Sequence, residues 1–413
     1  MSLICCEAPS LSRRQLLAGG GALFGWAFLP RFALAAGGRD PRLVVIILRG
    51  ALDGLSAVGP VGDPAYAALH GKIALSLSGE HPALPLDSFF ALNPAMPVFA
   101  RLYRDGHAAV VHATATSYRE RSHFDGQDVL ESGHAGPGFV QSGWLNRAIE
   151  ALPRGERIAS KGGLAVGAST PLIIRGSAPV LGWAPHVLPA ATDDLAARVV
   201  DLYAHRDPVL QAALVKGLET EKIATREGMS GETARPRGGM DSAAGMRLAA
   251  EGAVKLIAAD EGPRVAALAF DGWDTHANEG GATGRLAQLL GGLDGAFEAF
   301  EKGLGPHWKD TSIVVITEFG RTARVNGTTG TDHGTGTVAF LVGGAIKGGR
   351  IIADWPGLKD EQLHERRDLK PTTDLRAVLK GVLSEQLGLS AAALADKVFP
   401  GSSGVNPMLG LIA

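Results

Sequence analysis

One run of residues constrains this chain more than any other: Leu43-Val44-Val45-Ile46-Ile47-Leu48, uninterrupted, apolar and mostly β-branched, ending at Arg49-Gly50. A strand with no polar alternation buries both faces, and that happens in a parallel sheet sandwiched between helices. Similar short runs recur at 108–112, 164–166, 264–270, 312–317 and 338–342, with helix-length amphipathic stretches at 241–259 and 284–302. This rhythm predicts an α/β fold, with a mostly parallel central sheet and helices on both faces. Residues 226–239, rich in Gly, Arg and Pro, read as a flexible excursion. No internal repeat or linker divides the chain.

The N-terminus reads as a separate segment. Ser12-Arg13-Arg14-Gln15-Leu16-Leu17 precedes a Gly-rich apolar run to Leu29, and Ala33-Leu34-Ala35 comes next. Paired arginines, an apolar stretch and small residues are the layout of a twin-arginine secretion signal. The apolar run falls short of the roughly 20 residues needed to span a bilayer. The expected organisation is therefore a signal over residues 1–35 and an α/β domain over 36–413. The expected partner is the twin-arginine translocation machinery, the expected location periplasmic or extracellular, and no stable membrane anchor is expected.

Both cysteines, Cys5 and Cys6, fall in that signal. A mature chain would then offer no thiolate, so any metal must be held by carboxylate and imidazole, and a nucleophile is a hydroxyl or a water. A net charge of −2 with 20% charged residues gives no basic surface for nucleic acid.

Chemistry is expected at the carboxyl ends of the strands, where open α/β sheets gather their ligands. The first strand runs into Arg49-Gly50-Ala51-Leu52-Asp53-Gly54, and the 264–270 run into Asp271-Gly272-Trp273-Asp274-Thr275-His276. The 312–317 run leads into Glu318-Phe319-Gly320-Arg321, and Asp332-His333-Gly334 precedes the 338–342 run. A single Asp in such a place is most simply a cap or a turn former. Asp274-x-His276 together with Asp332-His333 points instead to a divalent metal ion bound by oxygen and imidazole: zinc, manganese, magnesium, calcium or iron. After the 108–112 run, Arg121-Ser122-His123-Phe124 opens a helix that ends near Ser132-Gly133. A hydroxyl there would lie at a helix N-terminus, where negative charge is favoured.

The motifs R-G-x-x-D-G (Arg49 to Gly54), R-S-H-F-D-G-Q (Arg121 to Gln127), D-x-W-D-T-H (Asp271 to His276), T-E-F-G-R-T (Thr317 to Thr322) and D-H-G (Asp332 to Gly334) resemble the exported domain-of-unknown-function family 1501. That family is grouped with the alkaline phosphatase, sulfatase and cofactor-independent phosphoglycerate mutase superfamily. The resemblance runs from Arg42 to about Leu387 and implies an alkaline-phosphatase-like sandwich. It places the superfamily's first-strand aspartate at Asp53 and its metal-binding Asp/His pair at Asp274 and His276. The superfamily's Asp-His falls on Glu318-Phe319, its final ligand histidine on His333 beside Asp332, and its nucleophile on Ser122 or His123. The segment from Pro371 to Leu383 matches a late structural helix.

Two functions are expected. In one, the protein is an exported metal-dependent hydrolase of phosphate or sulfate esters, acting on an anionic small-molecule ester. Ser122 is then the nucleophile with His123 and Arg121 beside it, and Arg49, Arg121 or Arg321 clamps the anion. The metal is expected on Asp274, His276 and His333, with Asp53 and Glu318 within a few ångströms, binding a second ion or orienting the first shell. In the other, the fold serves as a non-catalytic exported binding or assembly protein whose metal site is structural or degenerate.

Overall fold

The structure is a computed structural model that describes residues 40–413, except 139, 153–161, 185–192, 227–238 and 240. The expected signal over residues 1–35 and most of the 226–239 segment thus lie outside the described residues. From Pro41 onward the described residues form one unit, built on a sheet of nine strands among them. Its strands are β1 (Arg42–Leu48), β2 (Ala108–Ala115), β3 (Gly163–Val166), β4 (Val180–Trp183), β5 (Val265–Phe270), β6 (Thr311–Ile316), β7 (Thr337–Val342), β8 (Arg350–Ile352) and β9 (Thr373–Asp374).

Across the sheet the order is β8-β2-β7-β6-β1-β5-β3-β4, with β9 beside β2. The strand read first in the sequence lies near the middle, parallel to β5 on one side and to β6 on the other. All seven of its residues are buried. Their alternation assigns them to two layers. Val44, Ile46 and Leu48 pack into a core that includes helices Ala243–Ala258 and Arg285–Leu304. Leu43, Val45 and Ile47 face the opposite core, with helices Trp144–Glu150 and Leu375–Leu387. The expected mixed α/β sandwich is the observed fold. Each such side chain contributes about 1.5–3 kcal/mol on leaving water, so this one strand is a large share of the sheet's stability.

Strand β7 runs antiparallel to both its neighbours, β2 and β6. Because of that reversal, a residue just before β7 lies at the same edge of the sheet as residues just after β1, β5 and β6. His333 is such a residue. The short strands β4, β8 and β9 carried too little apolar pattern to be read from sequence: β4 contains Gly182 and is half-exposed, and β8 has three residues. A separate three-stranded sheet joins Val58–Gly59, Leu84–Pro85 and Ala91–Leu92. Among the described residues no helix is long and apolar enough to cross a membrane.

Candidate metal centre

Three chain segments meet at this edge. The segment after β5 is held against β1 by a hydrogen bond from the Trp273 amide to the Arg49 carbonyl. Gly50 makes the approach feasible: its φ is +119°, and a Cβ there would sit 2.4 Å from the Asp274 nitrogen. The segment before β7 pairs with the one after β6, through the Gly320–Thr335, Gly334–Gly320 and Thr322–Asp332 backbone bonds. That pairing fixes His333 opposite Arg321. The third is the helix His123–Ser132, ended by Gly133 in the left-handed conformation that lets a helix stop cleanly.

His123, Asp274 and His333 each bring one ligand atom to this point, all within 4.8 Å of one another. The Nε2 atoms of His123 and His276 each lie 2.9 Å from His333 Nε2. Asp274 Oδ1 is 3.0 Å from His276 Nε2 and 3.2 Å from His333 Nε2, and its Oδ2 is 3.4 Å from His123 Nε2.

The outer nitrogens settle where the ring protons are. His123 Nδ1 donates to Glu318 Oε1 at 2.9 Å, and His333 Nδ1 donates to the Arg121 carbonyl at 3.0 Å. His276 Nδ1 lies 3.3 Å from Asp332 Oδ1. Each of these partners can only accept, so Nδ1 of each neutral ring carries the hydrogen and the Nε2 lone pairs point inward. Imidazole and carboxylate lone pairs aimed at one another repel unless a positive charge lies among them, and His123, Asp274 and His333 form a donor set that fits a metal ion, with His276 set against His333 and Asp274.

The surrounding charges are arranged consistently. Hydrogen bonding to Glu318 raises the His123 pKa, whereas burial and then the neighbouring His123 lower that of His333. Burial pushes the Asp274 carboxyl up, but Arg321 Nη1, 2.5 Å from Oδ1, outweighs it and keeps the group ionised. Glu318 is fully buried yet its pKa is also lowered. Burial is opposed there by His123 and the Gly50 amide, and its oxygens also accept from Gln127 and Thr317. Asp332 accepts from Asn326, which also holds the His276 carbonyl.

The sequence-derived residues therefore separate into groups. His123, Asp274, His276 and His333 are brought together, with Glu318 and Asp332 behind two of the histidines. Asp53 is held elsewhere: its Oδ1 caps the short helix Gly54–Ala57, and its Oδ2 is 3.2 Å from His70 Nε2. His70 holds its carboxyl well below the usual range against the opposing effect of burial. Glu279 shares this pocket, its pKa raised first by burial and then by Asp53. A chain of polar contacts runs from Glu279 through Thr331 to Arg321 and so to Asp274.

The arginines are occupied. Arg49 pairs with Glu131 at 2.6 Å, Arg321 with Asp274 and the Thr331 carbonyl, and Arg121 with Glu365 and Asp368. Ser122 is the N-cap residue of its helix, but its side chain makes no capping bond. His70, Glu279, Gln127 and Asp368 were missed by sequence reading. Gln127 stood inside a quoted motif; the other three stand in segments with no pattern beyond a single polar residue.

A family model described as "Protein of unknown function (DUF1501)" matches residues 40–398. Among solved structures, the chain is similar to Ps i-CgsB in complex with k-i-k-neocarrahexaose, at TM-score 0.43 and 10% identity over 89% of this chain and 74% of that one. It is similar to a protein in the alkaline phosphatase superfamily from Vibrio parahaemolyticus, at TM-score 0.34 and 12% identity over 74% and 60%. It is also similar to the phosphonate monoester hydrolase of Agrobacterium radiobacter, at TM-score 0.34 and 10% identity over 84% and 74%. No curated protein matches the chain.

Proposed function

We propose that this chain, which belongs to the DUF1501 family, is a metal-dependent hydrolase of phosphate or sulfate esters. The observation that carries the reading is the inward convergence of the Nε2 atoms of His123, His276 and His333 on the Asp274 carboxylate. Two imidazoles and one carboxylate, with the His276 ring beside them, suit zinc better than magnesium or calcium, which prefer oxygen. When bound, such an ion acts as a Lewis acid on an ester oxygen.

The chain's own residues supply the rest. Glu318 and the Arg121 carbonyl hold the His123 and His333 rings with their lone pairs facing in. Arg321 keeps Asp274 charged and immobile. Ser122, at a helix N-terminus beside His123 and not used as a cap, is the proposed nucleophile. Arg49, Arg121 and Arg321 already face carboxylates, an observation that favours the second reading, a binding or assembly protein that holds a metal without turnover.

The two readings separate in one experiment, in which bound metal is measured on purified protein and hydrolysis of an aryl phosphate and an aryl sulfate is followed for wild type, His333→Ala and Ser122→Ala. Metal with turnover, both lost in His333→Ala and turnover alone lost in Ser122→Ala, supports the hydrolase. Metal without turnover of either ester supports the binding protein, and a wild type that binds no metal ends both metal readings. Turnover that survives in Ser122→Ala moves the nucleophile to water.

Export is proposed from the Arg13-Arg14 signal pattern. Replacing both arginines by Lys is expected to leave uncut precursor in the cytoplasm. Normal maturation of that variant would remove the twin-arginine assignment.

A further inference from the structure

We propose that Asp368, which lies outside the ligand set, is a positioning residue for His333: it holds the Arg121 backbone carbonyl where the imidazole must find it. The inference rests on the metal reading above.

Arg121 is a non-glycine residue with φ of +60°, in the left-handed region that side chains avoid. Local preference does not put it there. Its carbonyl accepts the His333 Nδ1–H at 3.0 Å, which makes this unfavourable conformation part of the site's geometry.

The side chain supplies the restraint. Arg121 Nε and Nη2 reach Asp368 Oδ2 at 3.0 and 2.8 Å, and Nη2 also reaches Glu365 at 2.5 Å. Asp368 is completely buried. It is fixed by reciprocal backbone bonds with His364, at 2.9 and 3.0 Å, across a turn in which Glu365 and Arg366 are themselves left-handed. Asp368 also bridges to Thr322, and the Arg367 carbonyl accepts from the Ala323 amide. The neighbouring residue Arg321 is the one paired with His333. Both ends of the Nδ1–carbonyl bond are thereby referenced to one segment, residues 321–323.

Releasing the clamp lets Arg121 relax out of the left-handed region and takes its carbonyl away from His333. The ring then loses the acceptor that selects the Nδ1–H tautomer and is free to carry its hydrogen on Nε2, pointed into the site. Outer partners of this kind are worth roughly 10–100-fold in metal affinity.

The test uses the full chain, stripped of metal and titrated with zinc ion against a chromophoric chelator, alongside the ¹⁵N signature of the His333 tautomer in the metal-free protein. The variants are Asp368→Asn and Arg121→Ala. Alanine keeps the carbonyl and the Cβ that disfavours φ of +60° while losing both ion pairs, so it tests the clamp even if Asp368→Asn folds poorly. Both variants are expected to bind zinc roughly 10–100-fold more weakly and to shift His333 toward the Nε2–H form. A purely structural role for Asp368 would move the unfolding temperature and leave the tautomer alone. Wild-type affinity and tautomer in both variants, with binding lost in His333→Ala, overturn the clamp and leave the metal site standing. Equal zinc binding by wild type and His333→Ala overturns the metal reading itself, and the clamp with it.

Discussion

Asp274→Asn is expected to lose metal more completely than any outer-partner variant, beyond the roughly 10–100-fold typical of such partners. Two losses add. The substitution removes the one anionic oxygen pair that touches all three imidazoles. It also leaves Arg321, whose side chain is wholly buried, without its carboxylate. A buried guanidinium left unpaired beside His333 repels the cation that the site would hold. Arg321 keeps its bonds to the Thr331 carbonyl and hydroxyl, so the segment has a reason to stay folded. Metal content after dialysis, measured beside the unfolding temperature, separates the two effects. A full metal complement in Asp274→Asn would show that the four groups converge for some purpose other than binding an ion.

How much of this was legible in the sequence depends on range. The strands β1, β2, β5, β6 and β7 could be read because each is a run of apolar residues buried on both faces, and burial on both faces leaves an unmistakable local trace. The edge at which the candidate ligands gather could also be read, from the polar residues just beyond each strand. The reversed direction of β7 could not, since strand direction depends on the connection and not on the strand's own residues. That direction is what brings His333 to the others.

Asp53 and Glu318 show the same limit from another side. Both stand just after strands, and sequence gives both the same weight. Asp53 turns back to cap its own short helix and meets His70. Glu318 reaches the Gly50 amide, 268 positions away, and orients His123 from behind. Which carboxylate binds and which supports is decided by contacts between distant residues. The Arg121 carbonyl is harder still, because a backbone atom has no signature in a sequence at all.

Acid is expected to destabilise the fold through a residue outside the candidate ligand set, His112 on β2. It is completely buried. It lies among rings, stacked on Phe90 at 5.0 Å and edge-on to Trp355 at 5.1 Å. Its Nε2 donates to the Val58 carbonyl at 2.9 Å, and its Nδ1 accepts the Ala113 amide hydrogen at 2.8 Å. Both ring nitrogens are thus committed in the neutral form, and a proton added at Nδ1 would point at an N–H. Burial accordingly lowers its pKa to about 4, against the opposing pull of the Val58 bond and of Asp53. In the unfolded chain the same ring titrates near its ordinary value of about 6.5. Between those two values the unfolded state binds the extra proton and the folded state does not, so stability is full above about pH 6.5 and is lost as pH falls toward 4. At about 1.4 kcal/mol per pH unit, the loss is on the order of 3 kcal/mol. Urea unfolding of wild type and His112→Gln at pH 7 and at pH 4 measures it, because the difference between the two proteins cancels groups that titrate independently of His112. Glutamine can donate to Val58 but takes up no proton, so the variant should start less stable at pH 7 and fall less by about 3 kcal/mol. Parallel losses in the two proteins would mean that acid enters the fold by another group.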